Sequence, residues 1–329
     1  MSTVTLSNEK TFPCEPGVTI LDSAKKHGLV LEYSCRSGRC GVCKAQVVGE
    51  TEVIHHDESV LSPEEVASGH ILTCCRTALS DIRLDIEDLG QFADIKSKTL
   101  PCRVDSFRRL ADDVIEVVLR LPPKDPLNYL PGQYVDIIGK SGVRRSYSIA
   151  NIPRQDGKLE FQVRQVKDGV MSQYWFEELA SNDLLRLEGP KGTFALRNTT
   201  PTNLIFLATG TGIAPVKAIL EQLIADPGLV AGKKVWVYWG GRHGQDIYLT
   251  PELGSLPIAF IPVLSRPDSS WEGRTGYVQD VLVHDEIDLA DAVVYACGSE
   301  HMIHSAKEKL VTLGLPHKNF YSDAFVSSN

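Results

Sequence analysis

Ser34-Cys35-Arg36-Ser37-Gly38-Arg39-Cys40-Gly41-Val42-Cys43 sets three cysteines in one short loop, and an adjacent pair, Cys74-Cys75, follows downstream. This is the spacing by which a chain gathers a [2Fe–2S] cluster. Two irons bridged by two sulfides need four thiolates, and a loop supplies three of them only if its backbone wraps around the cluster. Gly38 and Gly41 permit that wrapping and let backbone N–H groups approach the cluster sulfurs, where such hydrogen bonds help set the reduction potential. The rival metal, zinc, usually takes two short C-x2-C knuckles. Here the remote half offers only the adjacent pair, so zinc and buried structural thiols stand as the alternatives.

Working outward, the chain has eight cysteines, and five of them lie between residues 35 and 75. Residues 1–10 contain no apolar core of the kind a signal peptide needs, and no stretch reaches the roughly 18 apolar residues of a membrane span. The expected location is therefore the cytoplasm, where clustered cysteines point to metal or catalysis rather than disulfides. Around the loop, residues 4–6 and 11–14 read as strands. Thr19 caps a helix over residues 20–27, and Ser62-Pro63-Glu64-Glu65 starts another. Residues 82–86 alternate as an edge strand does.

The rest of the chain changes rhythm twice. Residues 88–101 lack periodicity and read as a linker. From there to about residue 194 the pattern is strand and turn, with strands over 114–121, 134–138 and 159–166, which suggests an antiparallel barrel. From residue 203 short apolar runs (204–208, 235–239, 258–263 and 293–296) alternate with helical stretches (215–224 and 300–313), the pattern of a doubly wound parallel sheet. With 329 residues, 43% hydrophobic and 23% charged, the chain has the composition of a soluble protein of two or three domains. A net charge of −8 argues against nucleic acid or an anionic membrane as partner. Residues 1–92 carry eight Lys/Arg against fourteen Asp/Glu, so most of the excess lies there. It reads either as a solvated surface or as a face steering toward a basic partner.

Two further motifs carry chemistry. Arg145-Ser146-Tyr147-Ser148 follows Pro131-Gly132-Gln133-Tyr134 within the expected barrel. Arginine offers a fixed fork to a pyrophosphate, a tyrosine ring can stack on an isoalloxazine, and a serine hydroxyl can donate toward flavin N5. A surface ion pair for Arg145 and a core ring for Tyr147 are the bland readings. Gly210-Thr211-Gly212-Ile213-Ala214-Pro215 joins an apolar strand to a helix, where side-chain-free backbone lets a pyrophosphate approach. It is not the G-x-G-x-x-G dinucleotide fingerprint, because the third glycine is missing. Cys297-Gly298 ends the last strong strand, at the edge where open parallel sheets bind ligands; a buried thiol is the alternative.

The cysteine loop, with Leu72-Thr73 before Cys74 and Ser80-Asp81 after it, resembles the plant-type ferredoxins, a β-grasp (α+β) family. That resemblance selects Cys35, Cys40, Cys43 and Cys74 as ligands and leaves Cys75 a neighbour. The remaining motifs resemble the ferredoxin–NADP reductase superfamily. The likeness implies an antiparallel β-barrel binding FAD through Arg145, Ser146, Tyr147 and Ser148, with Gly169-Val170-Met171-Ser172 as a second phosphate contact. It also implies an α/β doubly wound nicotinamide domain using Gly210, Thr211, Gly212, Pro215, Arg242, Cys297 and Gly298. Cys297 is then expected beside the nicotinamide, and Asp323 and Phe325 against the flavin. The implied domains are residues 1–92, 99–198 and 199–329. The segment 240–248 has one arginine, Arg242, and an acid, Asp246, which favours NADH over NADPH as donor.

Electrons would then run from NADH through FAD to the cluster and out to a partner. Over nearly its whole length the chain resembles the CDP-6-deoxy-delta-3,4-glucoseen reductases. Ile71-Leu72-Thr73-Cys74-Cys75, Leu187-Glu188-Gly189-Pro190, Tyr295-Ala296-Cys297-Gly298-Ser299 and Phe320-Tyr321-Ser322-Asp323-Ala324-Phe325 carry the likeness. It implies a partner dehydrase carrying pyridoxamine phosphate, in 3,6-dideoxysugar synthesis. A reductase component of a bacterial oxygenase is the alternative. A cluster-bearing sensor or adaptor is a reading of another class, opposed by the full set of flavin and nicotinamide motifs.

Overall fold

The computed structural model describes residues 1–140, 142–197, 199–251, 254 and 256–325. The chain forms two compact units, one spanning Met1–Lys96 and one beginning at Ser97.

In the first unit the elements run β1 (Ser2–Thr5), β2 (Thr11–Cys14), α1 (Ile20–Lys26), β3 (Lys44–Val48), β4 (Thr51–Val53), α2 (Pro63–Ala67), β5 (His70–Leu72), β6 (Arg76–Ala78) and β7 (Ile82–Leu84). A mixed sheet in the order β2-β1-β7-β3-β5 is the body of a β-grasp, and β4 and β6 form a separate ribbon. Helix α1 begins where expected: the Thr19 hydroxyl accepts from the Asp22 N–H at 3.0 Å. Its buried Ile20, Leu21 and Ala24 join Val4, Phe12, Ile82 and Leu84 in one core.

The expected linker over 88–101 is largely structured. The Asp88 carboxylate accepts from Val30 N–H at 2.8 Å and from Lys10 Nζ at 2.6 Å. Leu89 N–H donates to the Val30 carbonyl at 2.8 Å, Phe92 is buried, and a strand has already begun at Lys98. The segment lacks periodicity because side-chain-to-backbone bonds, rather than an apolar face, hold its first half.

The second unit opens with a six-stranded antiparallel barrel: β8 (Lys98–Ala111), β9 (Val114–Arg120), β10 (Tyr134–Ile138), β11 (Arg144–Ser148), β12 (Lys158–Arg164) and β13 (Leu184–Lys191). The sheet order is β11-β10-β13-β8-β9-β12, and a bridge between Ile149 and Phe161 joins the two edges. The short helix α3 (Val170–Gln173) puts Met171 into the barrel core, with Trp175 just beyond it.

A parallel sheet follows, ordered β17-β16-β15-β14-β18-β19. Its strands are β14 (Asn203–Thr209), β15 (Lys234–Gly241), β16 (Ile258–Leu264), β17 (Arg274–Thr275), β18 (Ala292–Gly298) and β19 (Phe320–Ala324), with helices α4 (Ile213–Ala225), α5 (Val278–His284) and α6 (Glu300–Thr312). The order reverses beside β14, so the crevice beyond its carboxyl end is where such sheets bind ligands. Helix α4 starts two residues before the expected Pro215, a position where a missing N–H costs little.

Candidate functional site

The cysteine loop is shaped by left-handed backbone. Arg36 and Gly38 have φ of 58° and 74°. At Gly38 a Cβ would overlap the Asp57 carbonyl oxygen and lie 3.0 Å from Cys75 Sγ. The four expected ligands meet in two pairs. Cys43 Sγ lies 3.2 Å from Cys74 Sγ, and the Cys40 thiol hydrogen-bonds to Cys35. Backbone N–H groups point at all four sulfurs: Ser37 at Cys35, Val42 at Cys40, Cys74 at Cys43 and Gly38 at Cys74.

Thiolate is favoured once in each pair. The hydrogen bond from Cys40 pulls Cys35 down to about 5, and those from Cys43 and Cys75 pull Cys74 well below the usual thiol range. Among the described residues no group of three or more His, Cys, Asp or Glu converges on one metal ion. Two pairs of thiols fit two irons, each taking two protein ligands. Cys75 is fully buried, its Sγ 3.6 Å from that of Cys74.

In the barrel, alternation along β11 separates the flavin motif into two sides. Arg145 and Tyr147 pair with Ile137 and Val135, and Ser146 and Ser148 with Asp136 and Tyr134. Arg145 and Tyr147 therefore share a side, with Trp175 beside them. The Trp175 indole N–H donates to the Tyr147 hydroxyl at 2.8 Å, and the two rings meet edge to face at 5.9 Å. That bond fixes a half-buried ring, whose phenol burial pushes up to about 12. Ser146 Oγ donates to Asp136 at 2.7 Å, and Ser148 is buried at the strand end.

The expected second phosphate contact is tied into its own turn. Ser172 Oγ accepts from Val166 N–H at 2.8 Å and Gly169 N–H donates to the Val166 carbonyl. Met171 packs inward and Val170 is exposed. A half-exposed, anchored aromatic ring beside an arginine suits the flat ring and the phosphates of FAD.

The nicotinamide segments meet through close backbone approach. A Cβ on Gly212 would overlap the Cys297 carbonyl oxygen and lie 2.9 Å from Gly298 Cα. This loop therefore lies directly on the end of β18. Trp239 donates from its indole N–H to the Gly210 carbonyl at 2.9 Å, and Thr209 Oγ1 accepts from Ser299 N–H at 3.0 Å. Such a bare backbone surface at the start of α4 suits a dinucleotide phosphate.

Cys297 itself is fully buried. Burial and the Asp323 carboxylate beside it hold its thiol neutral, well above the usual range. Gly298 beside it is buried as well, and its carbonyl accepts from Phe325 N–H at 2.8 Å. Asp323 is buried opposite Cys297 in register, and Phe325 is partly exposed. The Arg242 side chain is exposed. Arg242 and His243 N–H groups hold one oxygen of Asp246, and Arg164 Nη2 holds the other at 2.9 Å. Trp175, Trp239 and Arg164 went unnoticed in the sequence, where nothing links them to the motifs they support.

Comparison with known proteins agrees across all three parts. Residues 4–79 match the 2Fe-2S iron-sulfur cluster binding domain, residues 101–196 the oxidoreductase FAD-binding domain, and residues 206–308 the oxidoreductase NAD-binding domain. Among solved structures, an Amycolatopsis cytochrome P450 reductase aligns over 100% of both chains, with TM-score 0.75 and 29% identity. Fold and site together define an iron–sulfur flavoprotein reductase, in which NADH, FAD and a [2Fe–2S] cluster relay electrons to a partner enzyme.

Within that class, the CDP-6-deoxy-L-threo-D-glycero-4-hexulose-3-dehydrase reductase of Yersinia pestis is 43% identical over 96% of both chains. The reductase component 1 of a Comamonas terephthalate 1,2-dioxygenase is 32% identical over 96% of this chain and 95% of its own. The chain belongs to the CDP-6-deoxy-delta-3,4-glucoseen reductase family. No helix among the described residues is long and apolar enough to cross a membrane.

Proposed function

We propose that this chain delivers electrons to the pyridoxamine-phosphate-dependent dehydrase of CDP-3,6-dideoxyhexose synthesis. The observation that carries this choice of partner is the 43% identity, across nearly the whole of both chains, to a reductase named for that dehydrase. The oxygenase reductase stands eleven points lower, at 32%. The sugar binds the dehydrase, so this chain needs no sugar pocket of its own.

Cys35, Cys40, Cys43 and Cys74 hold the cluster, two thiolates to each iron. Arg145 meets the FAD pyrophosphate, with the Gly169–Ser172 turn as a second contact, and Ser146 braces the strand through Asp136. Tyr147 lies against the ring system, Ser148 donates at flavin N5, and Asp323 and Phe325 close the other side. Gly210, Thr211 and Gly212 receive the NADH phosphates at the start of α4, where Pro215 stiffens the first turn; Arg242 and Gly298 complete the nucleotide site. When bound, these groups supply the redox chemistry, the nicotinamide giving two electrons as hydride and the cluster carrying one at a time. The neutral, buried Cys297 thiol shapes the floor of the site and moves no proton.

The test mixes the protein anaerobically with NADH, a pyridoxamine-phosphate dehydrase and CDP-4-keto-6-deoxyglucose, and follows deoxygenated product by mass. Product that depends on this chain is the expected result. No product, with cytochrome c still reduced briskly by NADH, would remove the dideoxysugar role and leave an oxygenase component or some other acceptor.

A further inference from the structure

Hydride transfer demands that two reacting atoms sit about 3–3.5 Å apart, and a misplacement of roughly 1 Å can cost about a hundredfold in rate. In this chain the two sides of that reaction are carried by different layers. The flavin strand β11 ends at Ser148 in the barrel, and the nucleotide loop 210–212 opens α4 on the parallel sheet. Something must hold α4 at a fixed distance from the end of β11.

Helix α4 is buried along most of its length, with Lys217 and Glu221 half-buried one turn apart. Lys217 lies in the second turn after the nucleotide loop. Its Nζ donates to the Ala150 carbonyl at 3.0 Å, just beyond Ser148, and to Glu160 on β12 at 3.0 Å and Glu221 at 2.5 Å. Glu221 in turn accepts from Ile152 N–H at 3.1 Å, and Arg154 closes the group against Glu160 at 2.5 Å. Lys217 and Glu221 thus grip the backbone on both sides of Asn151, in the connection that leaves β11.

The same strand, β12, carries two more attachments. Leu159, Phe161 and Val163 face the barrel core, and Glu160, Gln162 and Arg164 alternate on the other side. The Tyr248 hydroxyl donates to Gln162 at 2.9 Å. Arg164, also paired with Asp113 at 3.1 Å, reaches Asp246. A Cβ on Gly210 would lie 2.9 Å from Arg164 Nη1, which places the guanidinium against the nucleotide loop.

We propose that Lys217 is a positioning residue for hydride transfer: by locking α4 to the connection leaving β11, it sets the separation between nicotinamide and flavin. This rests on Ser148 and the 210–212 loop facing one flavin–nicotinamide site. Removing one partner of a partly buried ion pair can itself cost stability, but Arg154 still pairs with both Glu160 and Glu221. Lys217→Met, which keeps the length of the stem, is therefore read against the melting temperature, which separates placement from folding.

The experiment uses the FAD- and cluster-loaded protein. It records the long-wavelength charge-transfer absorbance formed when the nicotinamide stacks on the flavin, the stopped-flow rate of flavin reduction, the Kd for NADH and the melting temperature. Lys217→Met is expected to weaken the absorbance band and slow flavin reduction about 10- to 100-fold, with NADH affinity held within about threefold. Lys217→Arg, which keeps the charge and the donors, should restore the band. A band and rate at wild-type levels, or a loss of rate matched by an equal loss of affinity, would overturn the assignment. Should Lys217→Met fail to fold, Glu221→Gln, which removes the charge at nearly constant shape, is held to the same outcomes. A wild-type protein that forms no such band on mixing with NADH would overturn the shared site as well as the role of Lys217.

Discussion

The cluster loop and the flavin–nicotinamide site solve the same problem, gathering distant groups around a cofactor, by opposite means. In the loop, three of the four thiols are neighbours in the chain, and a left-handed turn at Gly38 folds them inward. In the second unit, the flavin strand, the nucleotide loop and the end of β18 are far apart in sequence. Their meeting depends on missing side chains at Gly212 and on polar contacts along β12. A local site announces itself through spacing; an assembled one depends on contacts that no spacing predicts. The two should also fail differently when a single methyl group is added.

The largest effect is expected at Gly38. Its φ of 74° costs an alanine about 1–2 kcal/mol, and the added Cβ would overlap the Asp57 carbonyl. The loop would have to open. Gly38→Ala should therefore abolish cluster incorporation, read as loss of the EPR signal of the reduced protein, while NADH–ferricyanide activity at the flavin persists. A full cluster signal in the variant would show that Cys35, Cys40, Cys43 and Cys74 converge without the glycine turn.

Gly212 comes next. It has ordinary helical backbone, so an alanine there carries no penalty of its own; the cost arises from overlap with the Cys297 carbonyl. Backbone must separate from backbone, and the nucleotide loop moves with it. Gly212→Ala should slow flavin reduction by NADH about a hundredfold with cluster and FAD content unchanged, as followed by stopped-flow absorbance. Reduction at the wild-type rate would mean that the loop and β18 part without disturbing the nicotinamide, and the contrast between local and assembled sites would lose its second half.

Much of this was legible in the sequence, and the boundary has a physical origin. The cysteine spacing, the Thr19 and Ser62 caps and the change from alternating to strand-and-helix rhythm all depend on residues close in the chain. The β12 sequence, Lys158-Leu159-Glu160-Phe161-Gln162-Val163-Arg164, shows which side is apolar. It does not show that the polar side is covered: Gln162 is only 6% exposed, bonded to Tyr248. Polar alternation looks the same whether it faces water or another layer. Helix α5 and strands β3 and β19 escaped notice for a related reason, being short and supported mainly by their neighbours. The Asp246 carboxylate, visible in the sequence only as an acid near Arg242, is occupied by Arg164 and two backbone amides.

The smallest effect sharpens the local half of the comparison. Helix α2 has no buried side chain, so packing contributes little to its hold. Instead Ser62 Oγ accepts from Glu65 N–H at 3.2 Å, Glu65 accepts in return from Ser62 N–H at 3.0 Å, and Glu65 also pairs with Lys44 on β3. The helix leads into β5 and then to Cys74, so a frayed start loosens the approach of the fourth thiol. Ser62→Ala should cost about 1 kcal/mol, which lowers the temperature at which the cluster absorbance bleaches by roughly 4–8 °C for a unit of this size. Cluster content at room temperature and flavin reduction should not change. An unshifted bleaching curve would place the control of Cys74 in the β3–β5 pairing of Lys44 with Leu72. In that case the site that looks local would itself be assembled from strands distant in sequence.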